Sequence, residues 1–496
     1  MRVLADHLGA QPVPAHASGD HRSVVVVGAG ITGLVAAYAL RRRGVHVTLY
    51  EASAQVGGAI RTTHADGFLA EHGPNAFVTS SIVEALLEQL DLTDDVIDAD
   101  PAAHQRFVVR NATPLPFPIT PSAMLSTRLL SMRAKLRVLL EPLVRARRQD
   151  GDESVASFIR RRLGHEVLEY AVDPFISGIF AGDAETLSMA HAFPRVMELE
   201  RRYGSLSRGL MAQRRLGRSA ASAEYDAIDA PGSGGPLQGA VAGRTRLVSF
   251  VDGMQTLPDA LAAAMPGVLR TSCPVRLVHR QESRWAVEAG SESSPETRLV
   301  DAVVMATPAH VLAAMELPAE LRGSAAPLEQ VDYPAVSTLT MGFRREDVRH
   351  ALDGFGMLVP SAEHRSVLGA LFSSSLFPGR APEDHVALTC FIGGARHPDR
   401  AREDTDLLVE RVLVDLRQLL GVCGEPVFVH HVFWPRGIPQ YAVGHQEIKD
   451  AADDTERQHP GLYLAGNFRH GVSVGDCIAS GFQVAERVAT YLARAN

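Results

Sequence analysis

An α/β fold is predicted, built on a parallel sheet whose strands come from separated stretches, with helical and antiparallel-sheet (α+β) inserts between them. Three observations predict it. Val24-Val25-Val26-Val27 is a short β-branched run, the pattern of a strand buried on both faces of a parallel sheet. Gly28-Ala29-Gly30-Ile31-Thr32-Gly33 follows at once, and a helical composition runs from Leu34 to Arg43. Gly44 stops that helix, and Val45 to Tyr50 forms a second strand, completing a βαβ unit. The strand style returns at Leu299 to Ala306 and at Leu462-Tyr463-Leu464-Ala465, the latter leading through Gly466 to a helical pattern over Asp476 to Leu492.

Bulk properties narrow the class. The 496 residues suggest about three units at ~150 each. With 46% apolar and 21% charged residues the composition is that of an ordinary globular protein. The formal charge of 49 − 57 = −8 argues against a nucleic-acid partner bound through a basic field. Cys273, Cys390, Cys423 and Cys477 form no CxxC pair, so neither a disulfide scaffold nor a metal knuckle is expected, and no metal. No window reaches about 18 uninterrupted apolar residues, which excludes a spanning helix. Residues 1–22 carry Asp6 and Asp20 and no apolar core; we expect a disordered leader without a targeting signal, and a cytoplasmic location.

These patterns divide the chain. Residues 23–113, 244–309 and 446–496 are expected to build the nucleotide-binding domain. Residues 114–218 form the helical insert; within it Ser122 to Arg148 reads as one basic amphipathic helix with Leu125, Leu129, Met132, Leu136, Leu139 and Leu143 on one face. Residues 219–243, rich in Ala, Gly and Ser, read as a flexible loop. Residues 310–445 alternate apolar and polar side chains over Val336 to Phe343 and Val386 to Ile392, as expected for an antiparallel substrate-binding sheet, with a helix over Asp404 to Leu420.

Gly28, Gly30 and Gly33 have GxGxxG spacing in the context that gives it meaning. The first glycine permits the turn, the second lets the backbone approach a pyrophosphate, and the third lets helix and strand pack closely. Glu51, at the end of the second strand, suits ribose hydroxyls. Gly57-Gly58 leading to Arg61, then Gly73-Pro74-Asn75, continue a small-residue path that a nicotinamide cofactor does not need and an extended FAD does. Gly466-Asn467 fits a second flavin contact, and Asp476 suits a cap of the last helix. The chain is thus expected to be a Rossmann-like FAD protein.

Taken together, these residues resemble the flavin amine oxidase superfamily and, within it, the oxygen-dependent protoporphyrinogen oxidases. Four segments carry the closer resemblance: Val172 to Asp183 with Leu187-Ser188, Phe250 to Pro258, Leu371 to Pro382 with Phe391-Ile392-Gly393-Gly394, and Gly466 to Cys477. The resemblance implies non-covalent FAD held by Gly28 to Gly33, Glu51, Gly58, Arg61, Gly73-Pro74-Asn75, Gly466, Asn467 and Val472-Ser473-Val474, with Val275 holding the adenine through its backbone. It implies that Arg106, in Gln105 to Asn111, binds a substrate propionate. Leu358, Leu371 and Phe391 would sandwich a tetrapyrrole, and the Gly178 segment would line the cavity.

No HExxH, GxSxG or Cys–His spacing appears, so no catalytic side chain is named. The resemblance implies hydride transfer from a porphyrinogen bridge to the flavin, reoxidation by molecular oxygen with release of hydrogen peroxide, and three such rounds. It also implies peripheral membrane association through the basic helical stretch. A homodimer is compatible with the sequence. Two rival activities share the scaffold: coproporphyrinogen III oxidation, whose substrate has four propionates, and amine oxidation or carotenoid desaturation. A flavin- or porphyrin-carrying protein without enzymatic activity is a third reading. Arg469 and His470, charged residues in the last flavin motif, either face solvent or meet a propionate or phosphate.

Overall fold

The computed structural model describes residues 22–147, 151–217, 246–291 and 294–494. The expected 219–243 loop lies outside the described residues, as does all but Arg22 of the expected leader.

Ser23–Val27 is the central strand of a five-stranded sheet ordered Leu269–Arg270, His46–Tyr50, Ser23–Val27, Ala302–Met305 and Leu462–Leu464. Every pairing in it is parallel. The pairs Val24↔Ala302 and Val303↔Leu462 bring together parts of the chain separated by hundreds of residues. Both faces are covered, which explains the unbroken valine run. The helices Ile31–Arg42 and Val474–Arg494 pack on one face with Val24, Val26, Leu34 and Ile478. Val25, Val27 and Val303 face the other side, against Leu312, Leu321, Leu328 and Ile448 and a three-stranded meander of Val275–Gln281, Arg284–Ser291 and Ser294–Val300.

A seven-stranded sheet forms the second body, ordered Phe428–Trp434, Val336–Arg344, His385–Gly393, Val367–Leu371, Gly356–Leu358, Arg106–Arg110 and Thr113–Pro116. The helix Thr405–Leu420, capped by Asp404 through the Leu407 N–H at 3.0 Å, covers one face. Two expected boundaries shift. Arg106–Arg110 and Thr113–Pro116 belong to this sheet rather than to the first nucleotide-binding segment, because Arg106 pairs with Gly356 across 250 residues of chain. Conversely, Leu312 to Tyr333 pack against the parallel sheet, so the substrate-side unit begins nearer Ala335 than residue 310.

The Ser122–Arg148 stretch is not one helix. It is broken into Pro121–Ser126, Met132–Leu139 and a turn at Glu141–Leu143. Ser131 restarts the helix by accepting from the Ala134 N–H at 3.2 Å, and Pro142 ends it. Leu129 is buried, whereas Leu125, Met132, Leu136, Leu139 and Leu143 remain exposed. Lys135 and Arg137 are spent internally, on the carbonyls of Leu125 (2.8 Å) and Arg161 (2.6 Å).

Beneath these pieces Arg162 is 0% exposed, between Glu141 (3.0 Å) and Glu200 (2.5 Å). Burial raises both carboxyls' pKa values but is outweighed: by Ser205 and the Leu206 and Ser207 N–H groups at Glu141, and by Arg161 and Arg162 at Glu200. Arg162→Ala strands two buried carboxylates, and we expect a loss of about 3–5 kcal/mol, read as a lower thermal midpoint. Because the folded-state values lie below the unfolded ones, this stabilisation is present above the unfolded carboxylate value of about 4.3 and fades as pH falls below it. The gap between parent and variant midpoints should therefore narrow as pH falls below about 4.

Candidate active site

The dinucleotide end of the site forms where the central strand turns into its helix. Gly28 has φ +97°, and its N–H donates to the Tyr50 carbonyl at 2.7 Å. A Cβ on Gly33 would sit 1.9 Å from the Gly28 carbonyl oxygen, so the helix Ile31–Arg42 lies directly on the turn. No side chain caps the N-terminus of this helix, and a Cβ at Gly30 would meet nothing within 4 Å. The Thr307 hydroxyl, next to Gly28, is buried with no hydrogen-bond partner among the described residues. Free helix N–H groups, an open space over Gly30 and an orphaned hydroxyl fit a phosphate-bearing cofactor. Ala29 and Ile31 are buried in the turn and the core, and the Thr32 hydroxyl points away, donating to the Cys477 carbonyl at 3.1 Å.

Glu51 takes the Ala29 N–H on one oxygen (2.7 Å) and the Ser53 N–H and hydroxyl on the other (2.9 and 2.8 Å). A carboxylate has about four acceptor sites, so one remains for a hydroxyl. The Cys273 N–H donates to the Glu51 carbonyl at 2.9 Å, which brings the strand beginning at Val275 alongside. Arg61 reaches toward Ser53 at 3.5 Å, and its Nε is buried without a partner among the described residues.

The small-residue path is continuous. Gly57 donates to the Ala29 carbonyl at 2.8 Å, and a Cβ on Gly58 would lie 3.4 Å from the Gly30 Cα. A Cβ on Gly73 would meet the Ala59 carbonyl at 2.3 Å, and Asn75, following Pro74, closes the turn onto the Gly73 carbonyl at 3.1 Å. From the opposite side Gly466 approaches Thr307, followed by Asn467–His470 as a four-residue helix. Ser473 and Asp476 cap the last helix reciprocally: the Ser473 hydroxyl donates to the Asp476 carboxylate at 2.7 Å and accepts the Asp476 N–H at 3.1 Å. Val474 faces the core and Val472 the helical insert, so these two offer backbone only.

Arg469 does not face solvent. It is 3% exposed and bound to Asp453, to Glu456 (2.5 Å) and to the Leu464 carbonyl (2.7 Å), so it is turned from the site. His470 beside it is pushed down to about 3, first by burial and then by Arg469, and is neutral.

The seven-stranded sheet carries four of the predicted substrate residues. Its register aligns Arg106, Gly356, Leu371 and Thr389 in one row, and Leu358, Gly369 and Phe391 in the next. Directly paired residues share a face, as do residues two apart on a strand, so Arg106, Leu358, Leu371 and Phe391 lie on one face. Their neighbours Phe107, Met357, Ala370, Phe372, Cys390 and Ile392 fill the core behind. The four face residues are only half-buried. Gly356 and Gly369 also stand in this face, which spans about 14 Å across four strands. Over it lies the helix Asp173–Phe180, with a hypothetical Gly178 Cβ 2.3 Å from Leu358 Cδ2. Asp173 fastens that helix to the sheet by accepting from the Ser361 hydroxyl (2.8 Å) and pairing with Arg396 (2.7 Å).

The Arg106 guanidinium stacks over Phe355 at 5.1 Å, and burial lowers its pKa. Among the described residues no carboxylate pairs with it. The structure thus brings together the five predicted substrate residues and, around Gly28, the predicted cofactor residues. The Thr307 hydroxyl went unforeseen, as did the tie made by Asp173, although Asp173 lies within the Val172 to Asp183 segment.

The flavin-containing amine oxidoreductase family model matches residues 31–489. The mitochondrial protoporphyrinogen oxidase of Nicotiana tabacum is 36% identical over 95% of both chains. The coproporphyrinogen III oxidase of Bacillus subtilis is 28% identical over 96% of this chain and 99% of its own. A crystal structure from Exiguobacterium sp. 255-15 superposes with a TM-score of 0.77 at 26% identity, over 95% of this chain and 99% of that one. With a family match across nearly its whole length, the chain belongs to the flavin-containing amine oxidoreductases.

Proposed function

We propose that the protein oxidises protoporphyrinogen IX to protoporphyrin IX with molecular oxygen as acceptor, releasing hydrogen peroxide, in tetrapyrrole synthesis. Arg106 carries the reading. A half-buried guanidinium with no carboxylate of its own is costly unless a ligand brings one, and its planar fork suits a propionate. It stands at one edge of a slot whose other surfaces are Leu358, Leu371, Phe391 and the backbone of Gly178, which suit a flat apolar macrocycle. The 36% identity to a protoporphyrinogen oxidase, against 28% to a coproporphyrinogen oxidase, favours the substrate with two propionates over the one with four.

The cofactor is FAD, held non-covalently. Gly28 to Gly33 would take the pyrophosphate, Glu51 a ribose hydroxyl, Val275 the adenine, and the Gly58, Gly73 and Gly466 backbones the flavin half. Cys477, in the last flavin segment, is buried in the core and offers no thiol for a covalent link. Bound FAD supplies a two-electron acceptor that oxygen regenerates. The chain's own residues orient and desolvate: Arg106 anchors one edge, and the leucines and Phe391 exclude water. The Thr389 hydroxyl, in the first row, bonds to Thr340 on the next strand at 3.3 Å and to Ser373 in the short helix Ser373–Leu376 at 2.8 Å, and stays out of the chemistry.

The same reading places the protein in a bacterial cytoplasm, peripherally on the inner face of the plasma membrane. No described helix is long and apolar enough to cross a bilayer. Ile119, Leu125, Met132, Leu136, Leu139 and Leu143 are each more than half exposed, with Leu143 reaching 76%. Arg128, Arg133 and Arg145 are exposed among them. An apolar face bordered by arginines suits an anionic lipid surface.

Three tests follow. Acid should release intact FAD from the yellow protein, and fluorescence assays should give faster turnover of protoporphyrinogen IX than of coproporphyrinogen III; the reverse preference would overturn the substrate assignment. Arg106→Ala should raise KM for porphyrinogen about 10- to 100-fold with flavin content unchanged, whereas unaltered kinetics would remove Arg106 from the site. Replacing both Leu136 and Leu139 by Glu should weaken co-flotation with anionic phospholipid vesicles by about 100-fold or more, with flavin content unaffected.

A further inference from the structure

One stretch of chain, Gln440 to His445, touches both walls of the proposed slot. On the substrate side, Gln440 Nε2 donates to the Phe180 carbonyl at 2.9 Å, at the end of the helix that carries Gly178. Gly182, just beyond that helix, lies so near that a Cβ there would sit 2.5 Å from Gln440 Oε1. On the flavin side, the Tyr441 hydroxyl donates to the Asn467 carbonyl and accepts the Gly471 N–H at 2.7 Å. His445 Nε2 donates to the Phe468 carbonyl at 2.8 Å. Three main-chain groups of the loop after Gly466 are therefore held by two side chains of one stretch.

That loop needs outside support. Asn467–His470 is too short a helix to satisfy its own termini, and it lies between glycines at φ +135° (Gly466) and +126° (Gly471). The two supporting rings stack 4.4 Å apart at 24°, and Tyr441 and His445 are 5% and 3% exposed. Burial pushes His445 down to about 4 and the Tyr441 phenol well above its ordinary value. The imidazole is thus neutral and carries its proton on Nε2, since a carbonyl only accepts. The support is anchored in turn on the helical insert: the Ser188 N–H donates to the Tyr441 carbonyl at 2.7 Å, and His191 meets His445 edge-on at 5.5 Å.

We infer that Tyr441 and His445 are positioning residues that set the flavin-side loop Asn467–Gly471 against the Gly178 helix, and so fix the gap in which the substrate lies. The inference rests on the proposed function for what the loop and helix hold. Its mechanical content is independent of the substrate: removing the hydroxyl leaves a buried N–H and a buried carbonyl unpaired, and the loop must shift to satisfy them.

The test uses the flavin-bound enzyme. Tyr441→Phe should keep its flavin but shift the flavin absorption and fluorescence, and lower kcat about tenfold with a smaller change in KM. His445→Leu should do the same, and His445→Gln, whose amide N–H can meet the Phe468 carbonyl, should restore most of the spectrum and the rate. Parental spectra and kcat in both Tyr441→Phe and His445→Leu overturn the inference, as does a lowered thermal midpoint alone. Should His445→Leu fail to fold, Tyr441→Phe with His445→Gln provides the same comparison. A parent protein that holds flavin but oxidises no porphyrinogen defeats the proposed function, while the spectral comparison still decides the positioning role.

Discussion

The approach of Gly33 to the Gly28 carbonyl, too close for any side chain, is the constraint on which the rest of the molecule depends. It seats the helix Ile31–Arg42 directly on the strand end and points its uncapped N-terminus at the space over Gly30. Gly57 and Gly58 can then reach Ala29 and Gly30, Gly73 can reach Ala59, and Gly466 can reach Thr307. Each contact in this chain is backbone against backbone or nearly so. The cradle is therefore rigid and unobstructed, which an extended cofactor requires.

On the seven-stranded sheet, strand alternation sets one face apart. Every second residue of four adjacent strands fills a core, and the residues between them are left half-covered on one face. Leu358, Leu371 and Phe391 form that face, with Gly356 and Gly369 between them and, at its edge, Arg106, which pairs with no carboxylate among the described residues. Within the four strands from Arg106–Arg110 to His385–Gly393 those two rows hold no histidine, carboxylate or cysteine, and beyond Thr389 and Thr340 the first row reaches His430. In the proposed function the chain contributes shape, exclusion of water and the Arg106 charge, and leaves the redox chemistry to the cofactor.

Much of this was legible in the sequence where the signal is local. Val24 to Val27, the glycine spacing and the strands at 336–344 and 385–393 are short-range patterns, and the structure has them close to where the patterns lie. Long-range pairing was not legible: nothing around Arg106 announces that its strand lies beside Gly356. The Ser122–Arg148 stretch misled because leucines at helical spacing do not reveal that Ser131 restarts the helix or that Leu129 turns inward while its neighbours stay out. Thr307, Tyr441 and His445 escaped because an orphaned hydroxyl, or a side chain bonded to a distant carbonyl, is a property of three-dimensional surroundings alone.

The pairing of Val303 with Leu462 also governs when the protein can work. The central strand Ser23–Val27 and the outer strand Leu462–Leu464 of the parallel sheet are separated along the chain by both inserts. During synthesis both inserts emerge before the sheet they interrupt can be finished. The cradle stays open on one side until the strand Leu462–Leu464 and the Gly466 loop have been made, so cofactor capture waits on the synthesis of that segment.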